Sequence, residues 1–239
     1  MAARAAAAHP DVALAASALG SRVASWDKRC EAELERTAGY LVSTAERRLR
    51  CSFRHGDRLS PSLYTDADWA SPRSQSGYLL CLEGESESTL IPLLWGSKKQ
   101  SIVADSAAAS ETVAAHSGVK TAFPLFLSLK AIIGNLSESA LRAKLDNRQV
   151  LALVRKGESD KLFFTCKSAN IRANLLAESA ERGIIAAEHV GTLHQRADIF
   201  TKVQGRLLFE RNLDLIGIVG DDDRAKLWRA RAAAAEVAA

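Results

Sequence analysis

The chain has 239 residues, of which 47% are hydrophobic and 25% are charged. This length and composition fit one good-sized globular domain with extensions, or two small ones, and they exclude global disorder, a disulfide-stapled miniprotein and a large multidomain protein. Lysine and arginine exceed aspartate and glutamate by 32 to 28, and this net charge of +4 is compatible with a nucleic-acid partner without identifying one.

The cysteines are scattered along the chain, without a C-x-x-C pair or a histidine at ligand spacing; they are Cys30, Cys51, Cys81 and Cys166. Their spacing indicates neither a zinc site nor a disulfide framework. It favours reduced thiols in an intracellular compartment, either cytoplasmic or nuclear. The sequence contains no run of about 18 apolar residues, so we expect no contact with the interior of a membrane.

An amphipathic helix is predicted over residues 26–45, because Leu34, Leu41 and Val42 recur at helical spacing between charged residues. The basic, turn-rich stretch 46–62 that follows predicts a connector. We therefore expect three parts. They are a helical extension and linker (1–61), a main domain (62–215) and a charged, Ala-rich tail (216–239) that forms a loose helix.

The main domain begins with three short β-prone runs separated by turn residues, which predict an antiparallel meander. A helix is predicted from Asp105 to Ala122, and we expect Pro124 to interrupt it or to begin a second helix. The later elements are a strand at 141–146, helices at 147–157 and 167–182 with Gly183 closing the latter, a strand at 183–190, and a final helix from about Gln195.

This order of elements, β-β-β-α-β-α-α-β-α, is that of the ribonuclease H fold. The predicted class is therefore α/β and ribonuclease H-like. Its mixed five-stranded sheet consists of the three-stranded antiparallel meander and two further strands, flanked by helices and preceded by a helical extension.

Four acids stand at separate elements of this predicted fold. Asp66 lies inside the first strand, Glu111 on the long helix, Asp146 at the end of the fourth strand and Asp198 at the opening of the last helix. If they converge, they repel one another unless cations lie between them, and two Mg²⁺ ions, which prefer oxygen ligands, satisfy that need.

Each acid also has a structural alternative. Glu111 could be a solvated helix acid, Asp146 with Asn147 a helix N-cap, and Asp198 an acid at a helix start. Asp66 is less easily explained in this way, because aspartate is depleted in the middle of β-strands.

Several motifs occur in a recognisable order: YTDADWA (64–70), RSQSGYLLCL (73–82), WGSKKQ (95–100) followed by VADSA, SETVAA (110–115), LDNRQVLAL (145–153) and RADIFTK (196–202). With this series the chain resembles the C-terminal ribonuclease H domain of a copia-type LTR-retrotransposon polyprotein. Residues 9–44 resemble the end of its reverse transcriptase region, and the whole likeness spans about Pro10 to Gly217. The polymerase motif Y-x-D-D is absent.

The resemblance implies a metal-dependent endonuclease that hydrolyses the RNA strand of RNA·DNA hybrids with two Mg²⁺ ions, for which Mn²⁺ can substitute. It implies Asp66, Glu111, Asp146 and Asp198 as catalytic metal ligands, and the reverse transcriptase part of the parent polyprotein as a partner. A protein distinguishes the RNA strand of such hybrids from DNA by the 2′-hydroxyls displayed in a shallow minor groove.

Two departures from the family pattern support other functions. The usual A-E-A-E-Y segment is A-A-S-E-T here, and K-H-I-D-I-R-Y-H-F-I-R-E is replaced by KSANIRANLLAE (167–178). One alternative is therefore a catalytically inactive ribonuclease H-like module that serves as a nucleic-acid-binding or structural remnant of a decayed retroelement. Another alternative, favoured by the predicted helix at 26–45 with an apolar stripe and no obvious partner, is a truncated product that folds poorly without its polymerase half.

Cations and a histidine complete the candidate site. Arg73, Lys98 and Lys99 are candidates for contacts with nucleic-acid phosphates, with solvated surface charges as the alternative. His194 precedes Asp198 in a predicted loop, where it could act as a general acid or base near neutral pH, and a plain surface histidine is the alternative.

Overall fold

The computed structural model describes residues 8–70, 72–85, 88–134, 136, 139–156 and 167–220. Within these ranges the helices are α1 (Ala13–Gly20), α2 (Lys28–Ser43), α3 (Ala107–Ile132), α4 (Arg148–Lys156), α5 (Lys167–Glu181) and α6 (Arg206–Leu215). The strands are β1 (Arg48–Leu49), β2 (Ser60–Asp68), β3 (Gln75–Glu83), β4 (Leu90–Lys99), β5 (Leu141–Leu145), β6 (Ile185–His189) and β7 (Ile218–Val219). The predicted helix in the tail falls on 221–239, outside the described residues.

The main sheet has five strands in the order β4-β3-β2-β5-β6. Strands β2, β3 and β4 form the antiparallel meander, whereas β5 runs parallel to β2 and β6 runs parallel to β5. Strands β1 and β7 form a separate antiparallel pair. The predicted α/β, ribonuclease H-like class with its mixed five-stranded sheet is confirmed by this topology.

Each face of the sheet carries its own apolar cluster, because side chains alternate along a strand. Leu63 and Leu80 belong to the cluster that contains residues of α3, α4 and α5. Tyr64 and Leu79 belong to the opposite cluster, which contains residues of α1, α6 and the segment before α6, including Phe200. Burial of each such leucine contributes about 1.5–3 kcal/mol relative to an exposed position, so both faces of the sheet are fixed by packing.

Helix α3 is one continuous helix of 26 residues, so the prediction that Pro124 interrupts it or begins a second helix is wrong. Ala122 and Phe126 are buried on either side of the proline and anchor both halves in the core. Pro124 itself lies on the exposed face of the helix, where water can solvate the carbonyl that loses its hydrogen-bond donor.

Glycine allows α3 to pack closely on β2. A Cβ atom at Gly118 would lie 2.6 Å from Cγ2 of Thr65, closer than two carbon atoms can approach. Because any larger residue would push the helix outward, Gly118 sets the distance between the strand that carries Asp66 and the helix that carries Glu111.

The segment that departs from the copia-type pattern still forms a regular helix. Helix α5 buries Ala169, Ala173 and Leu176, and Gly183 follows it with the positive φ of 66° that is typical of a helix end. The replaced residues therefore leave an apolar face that packs in the domain.

The last helix begins later than predicted. Residues 198–200 form a 3-10 turn, and α6 starts at Arg206, so the prediction that Asp198 opens the last helix is wrong. Gln195, Phe200 and Thr201 all direct their side chains into buried sites. Their spacing places them on divergent sides of an ideal helix, so a regular helix could not direct all three into the domain.

Helix α2 matches the amphipathic helix predicted at 26–45, and the side chain of Asp27 caps it by accepting a hydrogen bond from Cys30 N at 2.8 Å. The predicted apolar stripe does not face the domain, however, since Leu34 is 41% exposed and Val42 is 79% exposed. The helix contacts the rest of the protein through Tyr40, whose hydroxyl donates to Asp11 at 2.6 Å and whose ring packs edge-on against Phe209 of α6. Over the described residues, the structure contains no helix with the length and apolarity needed to cross a bilayer.

Candidate metal-dependent active site

Asp66 is the central acid of the site, and the sheet places it in a fully buried position. Its neighbour on β3 is Gly77, where a Cβ atom would lie 2.7 Å from Cβ of Phe200. The missing side chain lets the turn at 198–202 approach the strand. As a result, the hydroxyl of Thr201 donates a hydrogen bond to Oδ2 of Asp66.

Glu111 reaches Asp66 from the first turns of α3. The side chain of Ser106 caps this helix by accepting from Ala109 N at 3.2 Å, which fixes where the helix starts and therefore which face carries Glu111. Burial, reinforced by the negative charges of Asp66 and Asp146, raises the pKa of Glu111 to about 9. The solvated helix acid considered above does not describe this buried carboxyl group.

Asp146 follows β5 and lies beside Asp66 because β5 and β2 are parallel neighbours, so that their carboxyl ends meet at one edge. Asn147 provides the cap of α4, since its Oδ1 accepts from Gln149 N at 2.9 Å and from Val150 N at 3.3 Å. The carboxylate of Asp146 is thus free of the capping role. Burial and the charge of Asp66 raise the pKa of Asp146, against the opposing charge of Lys202.

The three acids converge on one point. One ligand oxygen from each of Asp66, Glu111 and Asp146 lies within 4.8 Å of the other two. The buried Oδ1 of Asp146 has no hydrogen-bond partner in the structure. A divalent cation fits such a group, because it takes carboxylate oxygens as ligands and removes the repulsion among them.

Asp198, the fourth predicted acid, is buried, with 7% of its surface exposed. It is not among the acids that converge within 4.8 Å. Instead, Nζ of Lys202 stands between the two carboxylates, 3.0 Å from Oδ1 of Asp198 and 3.2 Å from Oδ2 of Asp66. Burial and the charge of Asp66 raise the pKa of Asp198 to about 6, against the opposing effect of Lys202.

Lys202 remains a cation in this environment. Burial disfavours its charge, but attraction by Asp66 and Asp198 prevails and raises the pKa of the ammonium group. Lys202 ends the RADIFTK motif and had no predicted role. Its spacing of four residues from Asp198 is the signal in the sequence for their contact.

The other predicted residues are exposed and are not among the converging acids. His194 is exposed on a 3-10 turn, Thr192–His194. Lys98 and Lys99 end β4 as exposed residues, and strand alternation directs them to opposite faces of the sheet. Arg73 is exposed just before β3. These cations are therefore accessible to a ligand, and Lys98 and Lys99 cannot approach it from the same side.

Two further residues that sequence analysis did not single out support the site. Gln195 is fully buried and donates from Nε2 to the carbonyl of Thr65 at 3.0 Å, which ties the final segment to β2 beside Asp66. Trp69 is 56% exposed three residues after Asp66, and its indole N–H donates to the carbonyl of Ala104 at 3.2 Å. The bond holds an aromatic ring at the rim of the acidic site.

No protein-family model matches the chain. Among solved structures, the chain is similar to ribonuclease H1 of the archaeon Halobacterium salinarum, with 13% identity, a TM-score of 0.42, and 59% of this chain and 94% of that chain covered. It is also similar to the N-terminal ribonuclease H domain of a Mycobacterium tuberculosis protein, solved as a fusion with maltose-binding protein (14% identity, TM-score 0.39, 65% and 97% covered). A ribonuclease H1 isolated from compost by a metagenomic approach shows 14% identity and a TM-score of 0.42, with 59% and 92% covered. The fold class of the chain rests on the strand order described above.

Proposed function

We propose that the protein is a ribonuclease H that cleaves the RNA strand of RNA·DNA hybrids with divalent metal ions. The observation that carries the proposal is the convergence of Asp66, Glu111 and Asp146 within 4.8 Å at one edge of the sheet. Three buried or half-buried carboxyl groups in such proximity are costly in a protein without a cation, and a catalytic metal site explains their arrangement.

We expect the bound ions to be two Mg²⁺, with Mn²⁺ as a substitute. Asp66, Glu111 and Asp146 would hold one ion, for which the unpartnered Oδ1 of Asp146 is a ready ligand. Asp66 and Asp198 would hold the other. Ions bound at these carboxylates supply a nucleophilic water and neutralise negative charge at the phosphodiester.

The chain's own residues orient this chemistry. Thr201 fixes Oδ2 of Asp66, and Gln195 ties the segment that carries Asp198 to β2, so the carboxylates keep their positions without substrate. His194, which is exposed on its turn, would exchange a proton with the leaving group or with solvent. Arg73, Lys98 and Lys99 would bind phosphates of the hybrid.

The wider context of the domain follows from the copia-type motif order and belongs to the same proposal. The extension at 1–61 would be a remnant of the reverse transcriptase connection region, 62–215 the ribonuclease H-like domain and 216–239 its tail. The reverse transcriptase portion of a parent polyprotein would be its partner.

A second function is favoured by the position of Lys202. An ammonium group between Asp66 and Asp198 satisfies both acids without a second metal ion. A protein that kept this ion pair permanently would bind hybrids without cleaving them, as expected of an inactive ribonuclease H-like remnant.

Single-turnover cleavage of a labelled RNA·DNA hybrid in Mg²⁺ separates the two functions. The double variant Asp66→Asn, Asp146→Asn should fold and lose cleavage. Glu178→Gln, which changes an exposed acid on α5, should cleave as fast as the wild type. A folded wild-type protein that binds the hybrid and leaves it whole would refute the nuclease and support the inactive remnant.

A further inference from the structure

Lys202 is the side chain in the acidic site that a conventional four-carboxylate centre does not require. Its Nζ lies 3.0 Å from Oδ1 of Asp198 and 3.3 Å from Oδ1 of Asp66. The ammonium group thus occupies the space between two acids that would share a metal ion. A divalent cation and the ammonium group cannot both contact these oxygens, because the two positive charges would repel strongly at such a distance.

The turn at 198–202 holds Lys202 in this position through its backbone. Lys202 N donates to the carbonyl of Asp198 at 3.2 Å, and the hydroxyl of Thr201 contacts both Oδ2 of Asp66 and the carbonyl of Asp198. The backbone position of Lys202 is therefore set by the same residues that position Asp66 and Asp198. An arrangement with this many supporting bonds is more than a chance surface ion pair.

The group formed by Asp66, Glu111 and Asp146 differs from the pair formed by Asp66 and Asp198. Its three carboxyl groups converge and the buried Oδ1 of Asp146 has no hydrogen-bond partner, whereas the ion pairs of Lys202 are with Asp66 and Asp198. The two halves of the site are therefore unequal: one half needs a cation, whereas the other half already contains one.

We propose that Lys202 is a positioning residue that takes the place of the second metal ion, so that the protein without substrate binds one divalent cation and admits another only when Lys202 leaves. This inference rests on the proposed function. The Lys202 side chain is 41% exposed, so it can swing into solvent without unpacking the core. A phosphate of the substrate would add the negative charge that attracts Lys202 away from Asp66 and brings in the second ion.

Isothermal titration calorimetry with Mn²⁺, in the absence of nucleic acid, tests the inference without measuring activity. The wild type should bind one Mn²⁺ with high affinity and a second at least about tenfold more weakly. Lys202→Met, which keeps the length of the side chain and removes its charge, should bind both ions and tighten the second by at least about tenfold. Lys120→Met, a change of an exposed lysine on α3, should give the wild-type isotherm.

Lys202→Gln provides a second variant that retains polar contacts, should Lys202→Met fail to fold without metal. The wild-type isotherm is itself a test that needs no variant, since two tight and equivalent ions would overturn the inference. Identical isotherms for the wild type and a folded Lys202 variant would also overturn it, while leaving the nuclease proposal intact. If the wild type binds no ion at all, both the inference and the metal-dependent nuclease are refuted.

Discussion

Replacement of Glu111 by glutamine should change how the stability of the metal-free protein depends on pH. Burial and the neighbouring acids raise the pKa of Glu111 from its ordinary value of 4.5 to about 9. In the unfolded chain this group is ionised above pH 4.5, whereas in the folded protein it keeps its proton until about pH 9. The folded state therefore binds one more proton than the unfolded state, and its stability falls as the pH rises through this window.

The expected magnitude follows from one proton. A difference of one bound proton changes the free energy of unfolding by about 1.4 kcal/mol per pH unit, so the wild type should lose about 2 kcal/mol between about pH 7 and about pH 8.5. Asp198, with a pKa of about 6, is mostly ionised throughout this range and adds little to the slope. Glu111→Gln cannot titrate, so its stability should be nearly constant.

Urea denaturation with EDTA, repeated at several pH values, measures this difference. Glu178→Gln serves as the matched control, because Glu178 is an exposed acid that pairs with Arg182 on α5, and it should keep the wild-type slope. Equal slopes for the wild type and Glu111→Gln would show that Glu111 is not held as a buried acid, and would refute the account of the acidic cluster.

Three other substitutions test the architecture around the site. Gly77→Ala should lower the free energy of unfolding, measured by urea denaturation, by about 1–3 kcal/mol. The new Cβ would lie 2.7 Å from Cβ of Phe200 and would push away the turn that carries Lys202. Unchanged stability would contradict this packing. If the ring of Trp69 stacks on a nucleotide, Trp69→Ala should weaken binding of an RNA·DNA hybrid in EDTA by about 1–3 kcal/mol. Fluorescence anisotropy measures this binding, and an unchanged Kd would exclude the contact. Pro124→Ala should raise the free energy of unfolding by roughly 1–3 kcal/mol, because the helix regains a backbone hydrogen bond on an exposed face. A loss of stability would contradict the continuous helix.

The order of strands and helices could be predicted because it depends on local patterns. The β-prone runs around Asp66 and Tyr78 are short and bounded by turn residues, as strands are, and Gly183 ends α5 as a helix-terminating glycine should. Pro124 was misjudged for a tertiary reason. Its local preference to end a helix is overcome by the burial of Ala122 and Phe126 on either side.

The convergence of Asp66, Glu111 and Asp146 could be anticipated from their places on a parallel pair of strands and the adjoining helix. The position of the Asp198 carboxylate could not be anticipated, because Asp198 lies in a turn that is stabilised by contacts with residues more than a hundred positions away. One such contact joins Thr201 and Asp66. The ion pair with Lys202 arises from the same turn. Spacing alone could suggest a contact between Lys202 and Asp198, but it could not reveal that the lysine also reaches Asp66.

The most direct test of the central claim compares three duplexes of one sequence, an RNA·DNA hybrid, an RNA duplex and a DNA duplex, each incubated with the wild-type protein in Mg²⁺. The account predicts cleavage of the RNA strand of the hybrid, no cleavage of its DNA strand or of either uniform duplex, and loss of all cleavage in EDTA. Cleavage of the DNA duplex at a comparable rate, or cleavage of the hybrid that persists in EDTA, would contradict it.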